Sequence, residues 1–490
     1  MDEAAQALES ARPLSQQLDI AYDFQPPLLH LLTHFALYFS KAEWWLRSIG
    51  ALIPGLISIW ATFKIGSKLI NTKTGFWAAL LMATNSFHIF YSQELRPYAL
   101  PMMFGVLSWL VLLYWKKPNF KQSFLKRYSL FSVYSLYTLL TLLGLYSSYL
   151  YPFLIISQAI YILVFKRKLI STYIFHALFW ILGFSIWLPS FLEQLRVGAE
   201  LRATLPNWET VVSISSSKSL ALVAGKFMFG VLDLRFSLLF IAGALLLLLP
   251  ITWAGSMLIL PHTKLQKIAD SLKFFAGKRS KKETKSLKAS LSLLLFWFVI
   301  PLITAWLVSF FIPVIRPKRV LFLMPAFYLL IVASVQSFPH TKIKHLFLSI
   351  LLLLNIFSTY QYYTQPRLQR ENWRQLYANI SELYPNNSVA VFSFPEPFAP
   401  WIWYNQDRYP SIATGTLAIS DANLDTLEEN YTNYTYVLTF DYLRDLTDPS
   451  NQLLQKIESS GYQPMDFIDQ TNIGFVRVYA RPQLKPTEVE

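Results

Sequence analysis

The chain has 490 residues, of which 54% are hydrophobic and only 15% are charged. Soluble proteins carry about 25% charged residues, so this composition excludes an ordinary soluble enzyme and indicates a polytopic membrane protein. The absence of cysteine excludes disulfides and thiolate chemistry. The net charge of +14 does not indicate a nucleic-acid partner, because the basic residues lie in loops between apolar segments, as in other membrane proteins.

Residues 1–45 are predicted to form an external loop with surface helices. The stretch "DEAAQALESAR" favours a helix, and its first acids, Asp2 and Glu3, have two interpretations. They stabilise the helix dipole, or they provide a general base beside the membrane. The stretch "QPPLLHLLTHFALYFS" is too short to span a bilayer and predicts a helix along its surface. His30 and His34 have a spacing that can bind a metal, but no third ligand is evident, which favours a structural role.

Residues 46–363 are predicted to form a transmembrane domain of about ten helices, since apolar stretches near the bilayer-spanning length recur there. The loops between these stretches are alternately basic and almost uncharged. Basic loops face the cytoplasm, which places both termini and the connection 192–234 outside. The predicted spans are 46–65, 75–91, 97–115, 128–146, 148–165, 172–191, 235–258, 291–312, 319–337 and 345–363.

The external loop between the second and third spans reads "YSQELRPYAL". One interpretation is structural: Arg96 extends to the interface and pairs with Glu94, between the interfacial rings of Tyr91 and Tyr98. The other is functional, with an acid and a base presented to a cavity at the membrane surface. His88, six residues before Glu94, is predicted to line the same cavity.

A later external loop reads "FFIPVIRPKRVLFLMPAFYLL" and contains a dense basic cluster, Arg316, Lys318 and Arg319. This cluster violates the orientation rule that places basic residues in the cytoplasm. It binds either anionic lipid headgroups or a phosphate or diphosphate, which Arg recognises through paired hydrogen bonds and Lys as a point charge.

The tail, residues 364–490, is less apolar and is predicted to form a small α/β domain outside the membrane. "ENWRQLYANISELYP" has the pattern of an amphipathic helix that ends before a proline. "SVAVFSF", "YTYVLTF" and "FVRVYA" have the composition of short strands.

Several of these stretches together resemble a known family. In chain order they are similar to motifs of the protein O-mannosyltransferase and aminoarabinose-transferase group of GT-C glycosyltransferases (glycosyltransferase family 39). That family begins with a transmembrane helix before its Asp-Glu loop, and this chain has none there, so we expect that the sequence lacks the first span. The similar stretches are "DEAAQALESAR", "QPPLLHLL", "WWLRSIGALIPGL", "SQELRPYAL", "RPKRVLFLMPAFYLL" and "ENWRQLYANI".

The resemblance implies roles for individual residues. It makes Asp2, with Glu3 beside it, the catalytic base, and it assigns the carrier phosphate to Arg316, Lys318 and Arg319. Some members bind a divalent metal ion near the lipid phosphate, and no residue of this chain is assigned to such an ion. The resemblance implies that Glu94 and Arg96 help to shape the substrate site, and the neighbouring residues Tyr98 and His88 are predicted to bind substrate as well.

The resulting hypothesis is an inverting glycosyltransferase of the plasma or inner membrane. It would move a sugar from a polyprenyl-phosphate donor to a hydroxyl of a lipid, glycan or protein on the extracytoplasmic face, with membrane lipids as its other partners. One alternative is a transporter or flippase of lipid-linked sugars without transfer activity, although a continuous polar path through the spans is not evident. A second is a scaffold for envelope assembly. The sequence contains no Walker loop and no dinucleotide fingerprint, which argues against a nucleotide-driven pump.

Overall fold

The structure is a computed structural model that describes residues 1–20, 23–116, 124–204, 217–233, 238–259, 281–338, 340–416 and 419–482. The chain divides into two compact units. The helical unit comprises the described residues of Ser10–Thr204 and Glu209–Thr364. The C-terminal unit comprises Met1–Glu9 and the described residues of Gln365–Glu490. Trp208, which the sequence places in an external connection, lies outside the described residues.

The first helix of the chain is Asp2–Ala11. One long helix contains a π-helical turn, since Glu43–Arg47 continues through Ser48–Leu52 into Ile53–Leu69. The other helices before the C-terminal unit are Leu28–Leu37, Thr72–Ala83, Ser86–Tyr91, Ala99–Leu112, Phe124–Leu145, Tyr151–Phe165, Ile170–Ser185, Leu188–Thr204, Ser217–Phe229, Leu238–Ile259, Lys281–Val308, Met324–Gln336 and Thr341–Thr364.

The predicted fold class, a helical membrane protein with a small C-terminal α/β domain, is confirmed. A helix occupies each of the ten apolar stretches. Among the described residues, four helices are long and apolar enough to cross a membrane: Glu43–Leu69, Arg167–Ser185, Glu283–Val308 and Thr341–Thr364. That the shorter apolar helices also span stays a prediction.

The predicted span 75–91 is two helices rather than one. The break lies at Asn85, whose side-chain oxygen accepts hydrogen bonds from the backbone N–H groups of Phe87 and His88 and so caps the second helix. The Asn85 amide also donates to the Phe227 carbonyl oxygen over 3.1 Å and to Asn355 Oδ1 over 3.3 Å. An asparagine in this position starts a new helix because its side chain replaces the missing backbone partners.

The core of the helical unit surrounds the helix Met324–Gln336. Every residue from Met324 to Val335 is buried, which is the pattern of a central helix that is apolar on all sides. The helix Thr341–Thr364 differs, because Leu346 and Leu353 are 58% and 64% exposed. Its outer face is therefore suited to contact with lipid.

The C-terminal unit contains a five-stranded mixed sheet in the order β2-β1-β3-β5-β4. Strands β1, β2 and β3 are parallel, whereas β5 pairs antiparallel with β3 and β4. The sequence predicted β1, β3 and β5 and missed β2 and β4. The strands are β1 (Ser388–Phe392), β2 (Ser411–Ala413), β3 (Tyr436–Phe440), β4 (Gln463–Gln470) and β5 (Gly474–Ala480).

Hydrophobic clusters cover both faces of this sheet. The predicted amphipathic helix is present as Trp373–Leu383, and Asn372 caps it by accepting a hydrogen bond from Gln375 N. Trp373 packs with Phe392 and Phe440 in one cluster, and a second cluster contains Val391 and Val437. The remaining helices of the unit are Ala399–Asn405, Asp421–Tyr431, Arg444–Thr447 and Gln452–Ser459.

Candidate functional site

The loop "YSQELRPYAL" is anchored to the long helix Glu43–Leu69 at two glycines. A Cβ atom on Gly50 would lie 2.6 Å from Leu95 Cδ1, and one on Gly55 would lie 2.3 Å from Ser92 Oγ. Leu95, which lies between Glu94 and Arg96 in the sequence, is buried. The close approach at Gly50, inside the π-helical turn, therefore fixes the backbone that presents those two charged residues.

Arg96 contacts a carboxylate from the N-terminal segment, that of Asp23. Its Nη2 lies 3.8 Å from Asp23 Oδ1, and His30 Nε2 lies 2.8 Å from Asp23 Oδ2. The Gln25 amide also donates to Asp23 Oδ2. Burial raises the pKa of Asp23, but the hydrogen bond from His30 and the positive charge of Arg96 outweigh burial and hold the pKa below its ordinary value. Asp23 is therefore an anion at neutral pH.

Backbone contacts hold the segment around Asp23 in place. The Gln194 amide, on the helix Leu188–Thr204, donates to the carbonyl oxygens of Ile20, Asp23 and Gln25 over 2.7, 3.0 and 3.3 Å. Leu28 N donates to the Tyr146 carbonyl oxygen. The two N–H groups of the Gln194 amide are thus shared among three backbone carbonyl oxygens, which ties this segment to the helix Leu188–Thr204.

Both histidines of the helix Leu28–Leu37 contact Ser10, through different atoms. His30 Nδ1 lies 3.5 Å from Ser10 Oγ, whereas His34 Nδ1 lies 2.8 Å from the Ser10 carbonyl oxygen and His34 Nε2 lies 3.2 Å from Tyr38 Oη. Both rings are buried. The geometry supports the structural role that the sequence favoured.

The late basic loop reaches the same region through Lys318. Its Nζ lies 5.4 Å from the centroid of the Tyr98 ring, which is within the range of a cation–π contact. Arg319 is fixed differently, because its Nη1 donates to the Pro313 carbonyl oxygen over 2.9 Å. Arg316 is partly buried in the same turn, where its carbonyl oxygen accepts from Arg319 N.

Glu94 and His88 are both buried residues. His88 lies on the helix Ser86–Tyr91, and its Nε2 has no hydrogen-bond partner among the described residues. Its ring lies beside Gly55, since a Cβ there would be 3.7 Å from His88 Cε1. A shared cavity lined by Glu94 and His88 stays a prediction.

Asp2 and Glu3 belong to the C-terminal unit. Glu3 Oε2 lies 4.0 Å from Arg370 Nε, and Asp2 is exposed. Glu371 accepts hydrogen bonds from Tyr442 Oη over 2.7 Å and from Trp373 Nε1 over 2.8 Å. Burial raises the pKa of Tyr442, and the negative charges of Glu371 and Asp2 raise it further. The Tyr442 phenol therefore stays protonated beside the acids.

Within the described ranges, no group of three or more His, Asp or Glu side chains is arranged to hold a metal ion.

The structure brings together Arg96, Tyr98 and Lys318 of the predicted set, and it adds Asp23 and His30. Asp23 is not among the residues predicted from the sequence. The available signal was its position two residues before Gln25-Pro26 in "YDFQPP", directly ahead of the helix that bears His30. Glu371, the first residue of "ENWRQLYANI", was likewise quoted without a role.

No protein-family model matches the sequence, and no curated protein matches it. Solved structures of two kinds of membrane protein are similar to the chain. ArnT from Cupriavidus metallidurans in the apo state is 11% identical, with 98% of this chain and 93% of that chain covered at a TM-score of 0.40. ArnT bound to undecaprenyl phosphate is 10% identical, with 94% and 88% covered at 0.45.

The second kind is the Archaeoglobus fulgidus oligosaccharyltransferase, in a complex with Zn and sulfate. It is 12% identical, with 99% of this chain and 70% of that chain covered at a TM-score of 0.42. Both kinds of protein are GT-C glycosyltransferases, the class whose motifs the sequence resembles.

Proposed function

We propose that the chain is an integral membrane glycosyltransferase that takes a sugar from a polyprenyl-phosphate donor and transfers it to a hydroxyl on the extracytoplasmic face. The observation that supports this proposal is that three segments far apart in the sequence contact one another, through Asp23 with Arg96 and through Lys318 with Tyr98. A ligand that binds between these segments would contact side chains from each of them.

The charges of this cluster suit a phosphate. Arg96 and Lys318 supply two cations, and no carboxylate of the described residues pairs with Lys318. A guanidinium binds phosphate oxygens in pairs and an ammonium adds a point charge. Asp23 pairs with Arg96 and is itself held by His30. This pairing restricts the position of Arg96, so we assign Asp23 and His30 as positioning residues rather than as groups that touch substrate.

We infer a single displacement with inversion, as the family resemblance implies. A carboxylate, for which Asp2 is the candidate, takes the proton of the acceptor hydroxyl, and the acceptor oxygen bonds to the anomeric carbon. The bond from that carbon to the phosphate oxygen breaks, and polyprenyl phosphate leaves with the electron pair. Arg96, Lys318, Arg316 and Arg319 stabilise the charge that develops on the phosphate, an electrostatic effect that commonly contributes about 3–4 kcal/mol per donor.

The proposal is tested with the purified chain in vesicles, a panel of polyprenyl-phosphate sugars and a mixture of hydroxyl acceptors. Release of polyprenyl phosphate together with a glycosylated product is the expected result. Asp2→Asn should abolish release, and Lys318→Ala should reduce it. Lys73→Gln, which removes an exposed lysine from a predicted cytoplasmic loop, is the matched control. Movement of labelled donor across the vesicle without any product would instead identify a transporter.

A further inference from the structure

Three lysines meet at one end of the helical unit, away from the residues discussed above. Lys68 lies at the end of the helix Ile53–Leu69, and Lys116 and Lys166 follow the helices Ala99–Leu112 and Tyr151–Phe165. The Lys68 ammonium lies 3.2 Å from the centroid of the Tyr114 ring. Lys166 Nζ donates to the Trp115 carbonyl oxygen over 3.4 Å. Lys68 and Lys166 therefore contact the consecutive residues Tyr114 and Trp115, and Lys116 is the next residue in the chain.

The backbone between these lysines is firmly held. Tyr134 Oη donates to the Lys116 carbonyl oxygen. The Trp115 ring is buried and packs edge-on against Tyr134 and Tyr137, with ring centroids 4.9 and 4.8 Å apart. The lysine stems thus extend from a fixed base, and their convergence is a property of the packed helices.

The positive charge at this place is not compensated by the described part of the protein. Among those residues, no Asp or Glu forms an ion pair with any of the three lysines. The stretches that contain or adjoin them, 64–73, 116–127 and 166–169, include no acidic residue. Burial lowers the pKa of Lys166, and the positive charges of Lys68 and Lys116 lower it further. Cations held near one another without a counter-charge repel, and an external anion removes that repulsion.

We propose that Lys68, Lys116 and Lys166 form a binding site for a phosphate group, carried by the headgroup of an anionic membrane lipid. The three residues lie where apolar helices end, and Tyr114 is 50% exposed beside them. Aromatic rings and basic residues at this depth lie at the level of lipid headgroups, and basic pockets between helices bind them.

This site is distinct from the proposed transferase site. Tyr98 precedes the helix Ala99–Leu112 and Lys116 follows it, so the two sites are separated by about 20 Å, the length of that helix. Loss of the lysines therefore should not remove the groups assigned to the sugar donor.

The test measures binding of phosphatidylglycerol and phosphatidylcholine to the detergent-purified full chain by native mass spectrometry. The wild type should prefer phosphatidylglycerol, and K68Q/K116Q/K166Q should bind it roughly 100-fold more weakly, because each basic residue near an anionic surface contributes a comparable share. The matched control is K73Q/K285Q/K342Q, which removes three exposed lysines of predicted cytoplasmic loops and should leave binding unchanged.

Two further arms keep the result decisive. K166R retains the charge and should retain binding, whereas K166Q alone should weaken binding by about fivefold. These single variants test the site even if the triple variant does not fold. Calorimetry with inorganic phosphate tests whether the ligand is a lipid headgroup or a free phosphate. If the wild type binds inorganic phosphate and the triple variant does not, the site is supported and its ligand is a soluble phosphate. Equal binding of phosphatidylglycerol by the wild type, K166Q and the triple variant, without phosphate binding, would overturn the proposal.

Discussion

Arg96 and Asp23 come from segments far apart in the sequence, yet Arg96 Nη2 lies 3.8 Å from Asp23 Oδ1. The carboxylate also contacts the fully buried ring of His30. An arginine at the membrane surface is flexible unless a partner restricts it. The Asp23–His30 pair restricts the Arg96 side chain.

Asp23→Asn should lower kcat/KM for the lipid-linked donor while the protein remains folded. The substitution keeps the shape of the side chain but removes the charge that holds Arg96, and hydrogen bonds to charged groups contribute about 1.5–3 kcal/mol, or roughly tenfold to a hundredfold. The measurement is initial rates over a range of donor concentrations. Asp19→Asn, which changes an exposed acid of the same segment, is the control. Wild-type kinetics in Asp23→Asn would remove the pair from the mechanism.

The same substitution should change how stability depends on pH. The pKa of Asp23 is depressed in the folded protein, so its ionised form stabilises the fold above the unfolded-state pKa. That stabilisation is complete above about pH 5 and is lost as the pH falls through the depressed folded pKa. The difference in Tm between the wild type and Asp23→Asn should therefore shrink between about pH 5 and pH 2. Melting curves in detergent check this, and a difference that grows on acidification would contradict it.

Tyr98 should tolerate the loss of its hydroxyl but not of its ring. Tyr98→Phe keeps the aromatic face near Lys318 Nζ, whereas Tyr98→Leu removes it. A cation–π contact contributes about 0.5–2 kcal/mol, so donor KM should rise roughly twofold to thirtyfold in Tyr98→Leu and stay near the wild-type value in Tyr98→Phe. Equal effects of the two substitutions would mean that the ring does not act through Lys318.

Gly55→Ala should destabilise the protein because the new Cβ would lie 2.3 Å from Ser92 Oγ and 2.8 Å from Ser92 Cβ. Overpacking of this kind costs about 1–3 kcal/mol. Gly255→Ala is the matched control, since no atom lies within 4 Å of its added Cβ and alanine favours a helix more than glycine does. Ser92→Gly removes the obstructing atoms and should restore part of the stability lost in Gly55→Ala. Thermal unfolding of Gly55→Ala, Gly255→Ala, Ser92→Gly, the double variant G55A/S92G and the wild type measures these effects.

The helices and strands were largely predictable, for a local reason. The helix Trp373–Leu383 has an amphipathic pattern and a following proline, and β1, β3 and β5 are runs of β-branched and aromatic residues. The strand β4 was missed because its sequence, "QPMDFIDQ", is polar and mostly exposed. It is a strand because it forms an antiparallel hairpin with β5 across the short turn at residues 471–473, so its pairing depends on its partner and not on its own composition.

The sequence alone determined that the chain is a helical membrane protein with polar loops between its apolar segments, because hydropathy and charge placement depend only on neighbouring residues. It also identified Arg96, Tyr98 and Lys318 as candidates. Only the tertiary structure decided that Arg96 meets Asp23 and that Lys318 meets Tyr98. Those contacts depend on the close approach of Leu95 to Gly50 and on the bonds from Gln194 to the Asp23 loop. The physical reason is that packing between segments distant in the sequence decides which side chains meet. The periodicity and the composition of each segment contain no information about those partners.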